Sequence, residues 1–140
     1  MKTVRIFTDG SSIGNPGPGG WCAILSYGDR TKILRGGAEM TTNNKMELTA
    51  PIEALKALKT PCKVELYSDS SYVVKGVNEW LKGWRKKNFD KVKNPDLWKA
   101  YLEASKEHLV RAVWVRGHSG HEENERCDQI ARGEAELRKR

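Results

Sequence analysis

The chain is poor in cysteine, in phenylalanine and in long apolar runs. Its three cysteines, Cys22, Cys62 and Cys127, are odd in number and widely spaced. That argues against a disulfide framework and favours a reducing, cytoplasmic setting with buried spectator thiols. No apolar run approaches the ~20 residues of a membrane-spanning helix, and MKTVRIFTDG has no hydrophobic signal segment before the first strand. A membrane role is not expected. Acidic residues are outnumbered, 18 against 25 Lys and Arg, and the resulting +7 favours a polyanionic partner. Charge of this kind concerns association, not fold. The 140 residues, 38% of them hydrophobic, fit one domain over 1–140 able to bury a core without staples.

What the chain does have is a repeat. Thr3–Ser11 (TVRIFTDGS) and Lys63–Ser71 (KVELYSDSS) are both strand-like runs that close on hydroxyl, Asp, small residue, Ser. If the two strands are neighbours, Asp9 and Asp69 meet beyond their carboxyl ends, where sheets with parallel strands bind ligands. Two carboxylates a few Å apart are tolerable only beside cations, so this reads as a site for a hard, oxygen-liganded ion such as Mg²⁺ or Mn²⁺.

Between these runs, Asn15–Gly20 is a turn cluster, and Trp21–Tyr27 and Lys32–Met40 read as second and third strands. Leu48, Ile52, Leu55 and Leu58 recur at helical spacing after TTNN, with Asn43 or Asn44 placed to cap the first turn. Pro51 is out of place in that helix, because it cannot donate to the Glu47 carbonyl, at a cost of ~3 kcal/mol if nothing compensates. Further helices are expected over 70–80, around Leu97, Tyr101 and Leu102, and from about Glu122, with a fifth strand over Val110–Arg116. The order is βββαβααβα. It predicts an α/β fold, a mixed five-stranded sheet with helices packed on it.

The blocks TDGSSIGNPGPGG, TTNNKMELTA, YSDSSYV, VKNPDLW and RGHSGHEENERCDQIA resemble the signature segments of type 1 ribonuclease H, in that family's order and at near family spacing. The resemblance covers nearly the whole chain. It implies a ribonuclease H-like fold and a monomeric endonuclease that hydrolyses the RNA strand of RNA/DNA hybrids. Two Mg²⁺ ions, or Mn²⁺ as substitute, would flank the scissile phosphate, and the products would carry 5′-phosphate and 3′-hydroxyl ends. The metal-binding carboxylates carry over to Asp9, Glu47, Asp69 and Asp128, with Asp9 bridging both ions. The loop histidine carries over to His118, for proton transfer or product release, leaving His121 as a surface residue.

Substrate contacts follow from the same resemblance. Trp80 and Trp84 match positions lining a channel for the DNA strand, Thr42 and Asn94 a pocket for a DNA phosphate, and Asn15, Asn43 and Asn44 positions near the minor groove. The 2′-hydroxyls there distinguish RNA from DNA. The residues themselves support a nucleic-acid surface: Trp80, Trp84, Phe89 and Trp98 are interleaved with Lys82, Arg85, Lys86, Lys87, Lys91 and Lys93. Trp98, at helical spacing with Tyr101 and Leu102, reads instead as core. Taken singly, each acid also has an ordinary reading: Asp9 as a turn former, Asp69 as a helix cap, Glu47 and Asp128 as charges near helix N-termini. Two departures stand out. Ser71 follows SDS where many family members carry a longer Gln, and the basic segment between Trp84 and Trp98 is shorter than in long-handled members. A hybrid-binding module that does not cut, and a DNA-acting relative of integrases and resolvases, are the alternative classes. Intact carboxylates argue against the first, TTNN and GHSGH against the second.

Overall fold

The computed structural model describes residues 1–116 and 122–139. Strands β1 (Lys2–Ser12), β2 (Gly17–Tyr27) and β3 (Arg30–Thr41) form an antiparallel meander, followed by helix α1 (Asn43–Lys56) and strand β4 (Cys62–Ser68). Next come α2 (Ser71–Lys75), a π-helical turn (Gly76–Trp80), α3 (Leu81–Lys86), α4 (Pro95–Ser105), β5 (Leu109–Trp114) and α5 (Glu122–Leu137). The sheet order is β3-β2-β1-β4-β5, with β1, β4 and β5 parallel. Counting 71–86 as one helical stretch, this is the expected βββαβααβα.

The register between the two repeated strands carries the most weight. Thr3 pairs with Lys63 and Phe7 with Tyr67, and the same offset continued two residues sets Asp9 opposite Asp69. Alternation along β1 feeds two cores, as the strand period of two requires. Ile6 joins Leu48, Leu66 and Trp98 in one cluster, while Phe7 joins Cys22, Ile24, Cys127 and Ala131 in the other. The sheet is therefore covered on both faces, by α1 and α2 on one side, with α4 packed on α1, and by α5 on the other. Among the described residues, no helix is long and apolar enough to cross a membrane.

Three local expectations are revised. Strand β2 starts at Gly17, inside the glycine and proline cluster, because Gly17 and Gly19 already pair with β3 across a bulge. The cap of α1 is Thr42, not Asn43 or Asn44: its hydroxyl accepts from the Lys45 N–H at 3.2 Å, while the Asn43 N–H donates to Asn15 Oδ1 at 3.0 Å. Pro51 stays inside α1, as the sequence reading has it, and the helix continues to Lys56 with the proline fully buried. The helical stretch after β4 runs on to Lys86, and at its π-helical turn Gly76 lies so close under the Trp98 ring that a Cβ there would overlap it. In the same turn, Asn78 donates to the carbonyl of Ala112 at 2.8 Å and accepts from its N–H at 3.0 Å, tying this segment to the edge strand β5.

Candidate active site

Three carboxylates converge at the carboxyl ends of the two central strands. One oxygen each of Asp9 (β1), Glu47 (α1) and Asp69 (just after β4) lie within 4.8 Å of one another. Glu47 reaches the strands because α1 passes close over Gly10, where a Cβ would collide with the backbone of Met46 and Glu47. The Gly10 N–H donates both to Glu47 Oε1, at 2.6 Å, and to Asp9 Oδ1, at 2.9 Å. Sequence reasoning did not foresee this use of Gly10, although glycine after Asp9 is the signal for it. Asp69 is not the cap of α2; Ser70 is, its hydroxyl accepting from the Val73 N–H at 3.2 Å.

Asp128 stands apart from this trio. It lies on α5 with its Oδ2 paired to Arg132 one turn later, near enough for its charge to act on Asp9. His118 and His121 lie outside the described residues.

The electrostatics are those of a crowded acid cluster. Burial, reinforced by the charges of Asp69 and Asp128, lifts the Asp9 carboxyl from an ordinary 3.8 to about 7. Burial and the neighbouring Asp9 push Glu47 well above the usual carboxylate range. Asp69 Oδ1 is buried without a hydrogen-bond partner among the described residues. An all-oxygen donor set, a surplus of negative charge and an orphaned acceptor together fit a hard divalent cation, whose charge would bring these carboxyls back to the ionised form.

A second feature lies beside the first. Asn15, Thr42, Asn43, Asn44 and Asn94 line one hollow of about 500 Å³, together with Lys45 and Lys93. All five polar positions expected from the sequence thus share one concave surface. Trp80 is 38% exposed and its ring lies 5.5 Å from that of Trp84, which is half-buried. Lys82, Arg85, Lys86, Lys87, Lys91 and Lys93 are exposed around them. Trp98 is fully buried, as expected, but so is most of Phe89, which therefore leaves the surface set.

A mixed sheet carrying buried acids at the ends of its central parallel strands defines a class, the α/β proteins of ribonuclease H-like fold. Sequence comparison narrows this. Residues 1–136 match the family model for RNase H. A ribonuclease HI of Helicobacter pylori is 61% identical over 138 residues, covering 99% of this chain and 96% of the relative. A ribonuclease H of a Sulfurovum species is 61% identical over 135 residues, covering 96% and 92%. Among solved structures, the crystal structure of LC9-RNase H1, a type 1 RNase H with the type 2 active-site motif, superposes with a TM-score of 0.90 at 28% identity. That match covers 99% of this chain and 74% of the other. The chain belongs to the ribonuclease H family, type 1.

Proposed function

We propose that this enzyme hydrolyses the RNA strand of RNA/DNA hybrids by two-metal-ion catalysis, leaving 5′-phosphate and 3′-hydroxyl ends. The observation that carries the reading is the meeting of Asp9, Glu47 and Asp69 within 4.8 Å, with a buried Asp69 oxygen that has no hydrogen-bond partner among the described residues. Asp9, whose carboxyl feels all three other acids, would hold two Mg²⁺ or Mn²⁺ ions together with Asp69 and Asp128. When bound, the pair supplies an acidified attacking water and charge stabilisation for the departing 3′-oxygen. Glu47, held by the Gly10 N–H, fixes the substrate side of the cluster. Of the two Asp128 oxygens, Arg132 engages Oδ2. His118 is assigned proton transfer or product release by its place in the GHSGH block.

Selectivity belongs to the surface around the cluster. The hollow at Thr42 and Asn94 would grip a phosphate of the DNA strand, with Asn15, Asn43 and Asn44 toward the minor groove, where only RNA offers a 2′-hydroxyl. Trp80 and Trp84 would carry the DNA strand on their rings, and the surrounding lysines would neutralise its phosphates. The test is cleavage of a labelled hybrid, double-stranded DNA and double-stranded RNA, each with Mg²⁺ and with chelator. Metal-dependent cutting of the RNA in the hybrid alone is expected. Binding without cutting would make the chain a hybrid-holding module, and cutting of DNA would reassign the substrate.

A further inference from the structure

We propose that Tyr72 is a positioning residue: its hydroxyl fixes the side-chain amide of Asn94 so that an N–H donor, not the carbonyl oxygen, serves the phosphate hollow. The inference rests on the reading of that hollow as a phosphate grip. Tyr72 lies in the first turn of α2, three residues after Asp69. Its hydroxyl accepts from Trp98 Nε1 at 2.8 Å and from Asn94 Nδ2 at 3.2 Å, and donates to the Lys93 carbonyl at 3.3 Å.

The donor inventory makes the orientation of Asn94 a consequence. An indole nitrogen can only donate and a peptide carbonyl can only accept, so the phenol's single proton is committed to Lys93 and what remains is an acceptor. Asn94 can satisfy that acceptor only with its NH₂ group. One N–H is then held by Tyr72, leaving the other N–H of the same nitrogen for the hollow that Asn94 lines. Helix capping does not compete for this amide. Asn94 precedes α4 in a left-handed conformation (φ 55°, ψ 47°) and makes no side-chain capping bond.

The phenol is itself held firmly. Its ring meets the fully buried Trp98 edge-on at 5.6 Å, Trp98 meets Trp84 at 5.1 Å, and Trp84 meets the exposed Trp80 at 5.5 Å. A continuous aromatic row thus joins the two surfaces assigned to the DNA strand, and the Tyr72 hydroxyl is where it meets the hollow.

Steady-state kinetics of Tyr72→Phe, Asn94→Ala, the double variant and Tyr101→Leu test this, on hybrids with one uncharged methylphosphonate moved stepwise along the DNA strand. With unmodified hybrid, Tyr72→Phe should raise KM about 2- to 10-fold, the size of one hydrogen bond, and leave kcat within about twofold. It should also lose sensitivity to the one methylphosphonate position that hurts the unmodified enzyme, and the double variant should be no worse than Asn94→Ala. Tyr101→Leu loosens the same core at its contact with Trp98 and keeps the groups that bond the Tyr72 hydroxyl, so it should keep that sensitivity. A raised KM for Asn94→Ala beside an unchanged one for Tyr72→Phe would overturn the proposal alone, as would additive effects or the same loss in Tyr101→Leu. An unchanged KM for Asn94→Ala would overturn the phosphate reading of the hollow and this proposal with it.

Discussion

Replacing Asp9 by Asn should abolish cleavage and yet stabilise the metal-free protein. In the absence of metal, the Asp9 carboxyl is raised from 3.8 to about 7 by burial and by the acids around it. The native state therefore holds a proton that the unfolded chain releases, and the sign follows: the penalty is absent below pH ~3.8, grows as pH rises, and is complete above about 7. At 1.36 kcal/mol per pH unit the span corresponds to at most about 4 kcal/mol. Glu47, which shares the cluster, ionises more easily once Asp9 is neutral and adds to the gain; relaxation and solvent entry around the charged cluster offset part of the upper bound, so about 2 kcal/mol is a fair expectation at pH 8. Asparagine keeps an oxygen for the Gly10 N–H, so no backbone donor is orphaned. For 140 residues, an unfolding entropy of ~2.1 cal/mol/K per residue turns that into a Tm rise of about 7 °C. Thermal melts in chelator, followed by circular dichroism from pH 4 to 8, would measure it. The variant should match the parent at pH 4 and exceed it increasingly toward pH 8. With Mg²⁺ at ~100 times its Kd the gap should close, because only the parent gains about 2.7 kcal/mol from binding. A variant that melts lower at pH 8 in chelator, or by the same margin at every pH, would show that Asp9 has a structural role instead.

Three other outcomes are expected. Gly10→Ala forces a methyl group into the backbone of α1 and should cost ~3 kcal/mol or more in urea unfolding while eliminating activity; near-parental stability would refute the close approach of α1 to β1. Trp80→Ala should raise KM for hybrid about 5- to 100-fold, as one lost base-stacking platform of ~1 to 3 kcal/mol, with Tm nearly unchanged, since its ring is among the exposed ones. An unaltered KM would remove Trp80 from the binding surface. The salt dependence of KM should be gentler than that of a ribonuclease H with a longer basic handle, because the slope counts neutralised phosphates, and an equal or steeper slope rejects the argument.

The sheet and its acids were readable because they depend on local periodicity. The repeat from Thr3 and from Lys63 implies a common register, and the strands pair in that register, bringing Asp9 to Asp69. The three strands before α1, that helix and the final helix from Glu122 follow equally from spacing and turn chemistry. What sequence did not disclose is decided by contacts between distant segments. Thr42 and Asn43 are both good caps, and Asn15 decides between them by engaging the Asn43 N–H from another loop. Phe89 reads as a surface aromatic among lysines, yet a left-handed backbone (φ 60°) turns the chain there and the ring ends up in the core. Asp128 reads as the equal of the other acids, and its place outside the trio is set by how α5 packs on β1 and β2. The junction at Tyr72 joins α2 to the start of α4 across 22 residues, with no local pattern to announce it.

The grip of Asn78 on Ala112 has a consequence away from catalysis. Strand β5 ends the sheet, and the outward-facing peptide groups of a six-residue edge strand invite another chain to add itself there. One side-chain amide occupies both hydrogen-bonding groups of Ala112, partway along that border, imitating a neighbouring strand for a single step. An intruding strand would have to displace it before zipping past, so the residue that anchors the basic segment also guards this border of the sheet.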